Sequence, residues 1–185
     1  MRYSTDHKAG TRDKLVRESA ALAKEQGFAA SGIDALARSA GLTSGAFYKH
    51  FEGKEALLAA ICEAELQSTQ ERFSSIEPQS EEQVLRAVDA YLSLVHVRSP
   101  GAGCVLPALA AEMGRAPAAT RAVVERAFEE LVAVIAEKVG DRALGSALVT
   151  QCVGAVSVAR ALSTETAQRE VLAHARVAVR RLLKA

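Results

Sequence analysis

Aromatic residues are scarce in this chain: tryptophan is absent, and five phenylalanines with three tyrosines serve 185 residues. Only Phe73, Tyr91 and Phe128 lie beyond residue 51. A cage for a flat or quaternary cation needs several aromatic faces around one point, so such a site is hard to build there. Cysteine is sparse as well. Cys62, Cys104 and Cys152 are odd in number and 42 and 48 residues apart, which fits neither a disulfide framework nor a paired zinc motif. No metal and no cofactor is expected. No uninterrupted apolar run approaches the ~18 residues of a membrane span, and the opening MRYSTDHKAG lacks the apolar centre of a signal peptide. A cytoplasmic protein without a membrane partner is the expectation. Charge of one sign is also missing overall, at net +1, yet residues 1–54 carry 9 Lys or Arg against 6 Asp or Glu. The basic excess is at the front.

What is present is helical period. Ile33, Leu36, Ala37 and Ala40 keep the i, i+3, i+4, i+7 spacing of one buried helix face, and Phe47 with Phe51 repeats it after Gly41. No useful stretch alternates like a strand. Breaks at EQGFAASG, AGLT, FEG, SSIEPQS, RSPGAG, GRAP, VGD and LSTE divide the chain into about nine helices. The fold class is therefore all-α. Thr11, a capping box at Ser80 with Gln83, and Pro117 read as helix starts.

Residues 33–40 and 44–51, joined at Gly41, outline a helix-turn-helix. Phe47 and Phe51 would anchor the second helix. Thr43, Ser44, Gly45, Ala46, Tyr48, Lys49 and His50 then remain for an outside partner. Gly45 and Ala46 are small enough for the backbone to approach a groove floor, while Thr43, Ser44, Tyr48, Lys49 and His50 can donate to phosphate oxygens. Lys54 falls in the first turn of the next helix, where the macrodipole disfavours a cation unless an anion is shared with the free N–H groups.

The stretch SGIDALARSAGLTSGAFYKHFEGKEALLAAI resembles the DNA-binding region of TetR-family transcriptional regulators, through Phe47, Tyr48, Lys49, His50, Phe51 and then Lys54, Glu55 and Leu57. The resemblance covers about residues 11–61. It implies a helix-turn-helix head over residues 1–53 and an effector-binding, dimerising body over 54–185. It also implies a double-stranded operator with an inverted repeat, and phosphate contacts from Thr43 or Ser44, Tyr48, His50 and Lys54. Base contacts fall to Ser44, Gly45 and Ala46, with Lys49 beside them, so shape readout or thymine methyl contact carries more of the specificity.

In the body, a helix from Lys54 to about Phe73 would act as a lever roughly 30 Å long. Residues 142–162 are apolar nearly all round and call for burial on several sides. That helix near Gly154, with Leu172, Ala175, Val179 and Leu182 on the last helix, is the candidate homodimer seam. Candidate lining for a small apolar effector is Leu66, Tyr91, Val95, Leu106, Met113, Phe128, Val132 and Gln151. Cys104 follows a Gly-rich turn at the head of a helix, a position that lowers a thiol pKa, so it is expected to react with electrophiles before Cys62 and Cys152. The Gly103–Cys104 step resembles the electrophile- and oxidant-responsive subgroup that includes the N-ethylmaleimide reductase repressor. A metal-responsive regulator using Cys104, His96 and His174 is the alternative on the same fold. A helical thiol-dependent enzyme is a further alternative, although His7, His50, His96 and His174 form no local motif with a nucleophile.

Overall fold

Ten α-helices and one 3-10 turn account for the regular structure of residues 3–184, which a computed structural model describes with side chains from Lys8 onward. The His7 side chain lies outside the described residues. The helices are α1 (Tyr3–Gln26), α2 (Ile33–Ser39), α3 (Ser44–Phe47), α4 (Lys54–Ser74), α5 (Glu81–Tyr91), α6 (Leu94–Arg98), α7 (Leu106–Met113), α8 (Ala118–Val139), α9 (Arg142–Ala161) and α10 (Glu165–Leu182), with the 3-10 turn at Pro100–Ala102.

Three local expectations need correction. Thr11 lies inside α1, which starts at Tyr3. The polar residues before it show no apolar period, and Gly10 interrupts a helix by only about 1 kcal/mol relative to alanine. Ser80 does flank α5, but its side chain makes no cap; the Gln83 Oε1 instead accepts from the Glu77 N–H at 3.1 Å. One helix more than expected arises at Leu92–Ser93, where a single run was read. The Ser93 side chain accepts the His96 N–H and starts α6, and the freed Leu92 carbonyl accepts from Arg176 of α10. That partner is 84 residues away and invisible to local pattern.

α1 ends on Gly27, whose φ of +85° is the left-handed conformation that favours glycine. α1, α2 and α3 enclose Leu15, Leu36 and Phe47, and the same core continues without interruption through Leu57 and Ile61 of α4 into Leu109, Leu131, Val156 and Leu172 of the body. α4 lies along α8, and α9 is packed between α8 and α10. Gly145 of α9 admits this closeness: a Cβ there would stand 3.1 Å from the Ala136 backbone nitrogen. α9 has the length and mean hydropathy, 1.3, of a membrane-crossing helix, and is the one such helix among the described residues. Its buried Leu148, Cys152, Val156 and Ala159 face neighbouring helices of the same chain.

Candidate nucleic-acid interface and effector cavity

The candidate recognition surface is built on two buried rings. Phe47 is fully covered and Phe51 nearly so, with ring centroids 5.9 Å apart. The Arg12 guanidinium sits 4.9 Å from the Phe51 centroid, which ties α1 to this corner. Fixing these rings turns Tyr48 outward at 57% exposure, with Thr43, Gly45 and Lys49 also exposed. α3 is shorter than the expected 44–51: after Phe47 the chain tightens, with Lys49 N–H to the Ala46 carbonyl and His50 N–H to the Phe47 carbonyl.

Several expected phosphate donors are already engaged within the chain. Thr43 caps α3, its Oγ1 accepting the Ala46 N–H at 3.2 Å, and the Ser44 hydroxyl donates to Asp34. Lys54 opens α4 as expected, but its ammonium donates to the Ala29 carbonyl at 3.0 Å and lies 4.8 Å from the Phe28 ring centroid. The cation at a helix N-terminus is thus offset by a carbonyl and a ring face of the same chain. His50 is held below the usual imidazole range by burial and then by the charges of Lys8, Arg12 and Lys49. Lys8 and Arg12 therefore lie by the same basic face; Lys8 was missed because α1 was started at Thr11.

The body holds a cleft of about 360 Å³ between α4, α5, α6 and the 3-10 turn. A narrow apolar channel of about 40 Å³ runs beneath it toward α8 and α9. Thr69, Phe73, Tyr91 and Cys104 line both. Of the expected lining residues, Tyr91 and Cys104 stand at this junction, Leu106 lines the channel, and Val95 sits at the mouth. Leu66, Met113 and Val132 are plain core, and Phe128 packs against that core from α8. Gln151 lies instead in a shallow groove between α9 and α10. The wall that was missed is Thr69, Arg72 and Phe73 of α4 with Ile76 just beyond its end, an i, i+3, i+4, i+7 set that could have been read as one face.

Cys104 departs from expectation. It precedes α7 as predicted, but it is buried, and desolvation pushes its thiol above the ordinary range despite the neighbouring Tyr91 hydroxyl and the Leu106 backbone. Burial likewise pushes Cys62 and Cys152 up to about 12. His96 does not activate the thiol: its Nε2 accepts the Cys104 backbone N–H at 3.0 Å, and its Nδ1–H donates to the Tyr91 carbonyl at 2.8 Å. Both ring nitrogens are thereby used in the neutral form, consistent with a pKa lowered chiefly by burial. The thiolate expected for electrophile sensing, or for thiol catalysis, is not favoured here. His174 lies in the α9–α10 groove, apart from Cys104 and His96, and no three candidate ligands gather among the described residues.

The expected dimer seam also changes. Leu172, Ala175 and Val179 are 2%, 3% and 0% exposed, already covered by their own chain, whereas Leu182 is 37% exposed. The uncovered apolar surface is the other side: Gly154 and Val158 of α9 with Val171 and Ala178 of α10.

Residues 15–61 match the family described as bacterial regulatory proteins, tetR family. The chain is 36% identical over 66 residues to the uncharacterised HTH-type transcriptional regulator YerO of Bacillus subtilis (strain 168), covering 36% of this chain and 23% of that one. It is 25% identical over 121 residues to the HTH-type transcriptional repressor DhaR of Mycobacterium sp. (strain GP1), covering 65% and 61%. The match thus spans less than two thirds of either relative. Among solved structures, reduced Escherichia coli NemR superposes with a TM-score of 0.78 at 20% identity over 93% of this chain and 96% of that one. A TetR regulator from Chloroflexus aurantiacus J-10-FL does so at 0.74 and 23%, over 98% of each. Residues 15–61 thus match the tetR family of bacterial regulatory proteins, and the all-helical fold around them is the one these solved TetR regulators share.

Proposed function

We propose that the protein is a cytoplasmic transcriptional repressor, not an enzyme, which binds an inverted-repeat operator as a homodimer and leaves it when a small molecule occupies the body cavity. The observation that carries this is the burial of Phe47 and Phe51, which commits Tyr48 and Lys49, with Lys8 and Arg12 of α1, to one outward basic face. Residues 1–53 form the reading head and 54–185 the sensing and dimerising body, joined through α4. The raised thiol pKa of Cys104 favours a reversibly bound ligand over covalent modification as the signal.

Lys54 reaches a phosphate only by exchanging the Ala29 carbonyl for it; with that exchange, Lys54→Ala is expected to weaken binding to all DNA sequences alike and to lower the slope of log affinity against log salt by about one. Lys49→Ala is expected to alter sequence preference as well. Gel-shift titrations at several salt concentrations, with DNA from immediately upstream of the gene, measure both; an unchanged affinity and slope for Lys54→Ala removes it from the interface.

Dimerisation is proposed through the uncovered α9–α10 face, with Gly154 at its centre. A Cβ on Gly154 would meet nothing within 4 Å in the single chain, so a larger residue there leaves the protomer fold intact. Gly154→Leu is therefore expected to overpack only the two-fold contact, by about 1–3 kcal/mol. Sedimentation should show dissociation and operator affinity should fall with it, because recognition helices about 34–36 Å apart are needed to meet successive major grooves. A Gly154→Leu protein that remains dimeric and binds normally would exclude this face.

A further inference from the structure

The chemistry of the cavity wall narrows the ligand further, on the reading that this cavity is the effector site. The channel is lined by Val84, Val88, Ile135, Leu148 and Val153 among other uncharged groups, and no carboxylate lines either the channel or the cleft. Arg72 is the charged residue on the cleft wall. Its Nε and one terminal nitrogen donate to the Ser68 carbonyl and Thr69 Oγ1, each at 3.3 Å, and among the described residues it has no carboxylate partner. Arg160 stands behind the same end, donating to the His96 carbonyl at 3.0 Å and leaving one terminal nitrogen buried without a partner. Lys24 stands nearby in its ion pair with Glu65, in an adjoining groove that Arg72 and Glu18 also border.

Tyr91 supplies the second polar feature. Its hydroxyl is buried and makes no conventional hydrogen bond, lying beside the soft Cys104 thiol, while its ring is held edge-on to His96 at 4.4 Å. A buried donor left open costs stability unless something visits it. Burial raises the phenol pKa, so the group stays protonated and able to donate. The positive surroundings are felt by His96 too, on which Arg160, Arg72 and Lys24 all act to disfavour its charged form.

We propose that the cavity binds a small organic acid, with an aliphatic or aromatic tail directed toward the apolar channel and a carboxylate accepting from the Tyr91 hydroxyl and the Arg72 guanidinium. A cation in the cleft finds the Arg72 guanidinium on the wall, Arg160 behind it, and no carboxylate among the lining residues. A neutral alcohol of the same length gains the apolar contacts but not the charge-assisted hydrogen bonds. The cleft volume of about 360 Å³ is at the lower end of ligand pockets, which suits a molecule of a few carbons more than a large polycycle.

Isothermal titration of the intact protein with hexanoate, 1-hexanol and hexylamine tests the assignment. Hexanoate is expected to bind about tenfold or more tighter than hexanol, and hexylamine not to bind. Arg72→Gln and Tyr91→Phe are each expected to remove most of that advantage, lowering hexanoate affinity by a larger factor than hexanol affinity. Tyr91→Phe removes a hydroxyl that has no partner, so its melting temperature should match or exceed that of the wild type, which separates loss of the site from loss of fold. Equal or tighter binding of hexanol, unchanged hexanoate affinity in Arg72→Gln, or no heat from any of the three probes would overturn the proposal. The operator-bound protein reads the regulatory role separately: hexanoate binding with no change in DNA affinity keeps the acid site and removes its role as effector site.

Discussion

Lys24→Ala should destabilise the folded chain by about 3 kcal/mol, the largest loss expected from any single polar substitution in this protein. The Lys24 side chain is only 4% exposed, and its ammonium makes two contacts: the Glu65 carboxylate at 2.5 Å and the Gly103 carbonyl at 2.9 Å. Removing it leaves a carboxylate and a carbonyl without their shared donor, and the cost of breaking such a pair exceeds the net worth of having formed it. Glu65 is 24% exposed and can recover some hydration, which puts the expected loss at the low end of the range for buried pairs. Replacing both partners, as Lys24→Met with Glu65→Leu, should recover most of that loss, because no uncompensated charge is left behind. Denaturant unfolding of the two single variants and the double variant measures this cycle. A loss below about 1 kcal/mol for Lys24→Ala would mean that the pair behaves as a surface ion pair.

The location of this pair gives it a second consequence. Lys24 belongs to α1, Glu65 to α4, and Gly103 to the turn immediately before Cys104, so one ammonium joins the head, the lever and the cavity wall. Gly103 also has no room for a side chain, since a Cβ would stand 2.5 Å from the His96 ring. The double variant is therefore expected to be stable but to respond poorly to a bound ligand. Its packing is restored, while its tie to Gly103 is not.

The head was the most legible part of the sequence because its signals are local. Gly41, at a φ of +73°, sits in the turn where it was expected, and Phe47 with Phe51 at i, i+4 spacing reported the anchored face. The long α4 and α9 were legible from uninterrupted period and clear breaks, as at Gly140 followed by the Asp141 cap. What escaped was set by partners remote in sequence. The break at Leu92–Ser93 depends on Arg176, and the fate of Leu172, Ala175 and Val179 depends on which neighbour covers an apolar stripe, which spacing alone does not specify. Cys104 was misjudged for a different reason. A helix start lowers a thiol pKa most while the thiol is solvated, and here the desolvation imposed by burial outweighs the lowering from the Tyr91 hydroxyl and the Leu106 backbone.

Glu112→Ala is expected to uncouple the cavity from the DNA-binding face. α7 begins beside the cavity, where Cys104 and Leu106 line the wall, and about 10 Å further along at 1.5 Å per residue it ends against the head. There the Glu112 carboxylate accepts the Phe28 N–H at 3.0 Å and the Ala29 N–H at 2.5 Å, two donors presented side by side because Gly27 has turned left-handed at the end of α1. The Ala29 carbonyl in turn accepts from Lys54, so the loop leading into α2 is gripped by the body through Glu112 and by α4 through Lys54. A ligand that displaces the start of a short, stiff helix must move its other end, and the grip passes that movement to the head. Without the carboxylate the Ala29 N–H turns to water, but the Phe28 N–H sits on a buried residue, so the variant should lose about 1–3 kcal/mol of stability. Ligand affinity should be unaffected, since Glu112 lines neither the cleft nor the channel. The change in operator affinity on ligand binding, expected to be between about fivefold and 150-fold in the wild type, should shrink toward one. Glu112→Gln keeps one acceptor oxygen and the side-chain shape but no charge, and should fall between the two. Operator titrations with and without hexanoate on all three proteins provide the measurement, and a wild-type response in Glu112→Ala would show that the signal reaches the head through Lys24 and α4 instead.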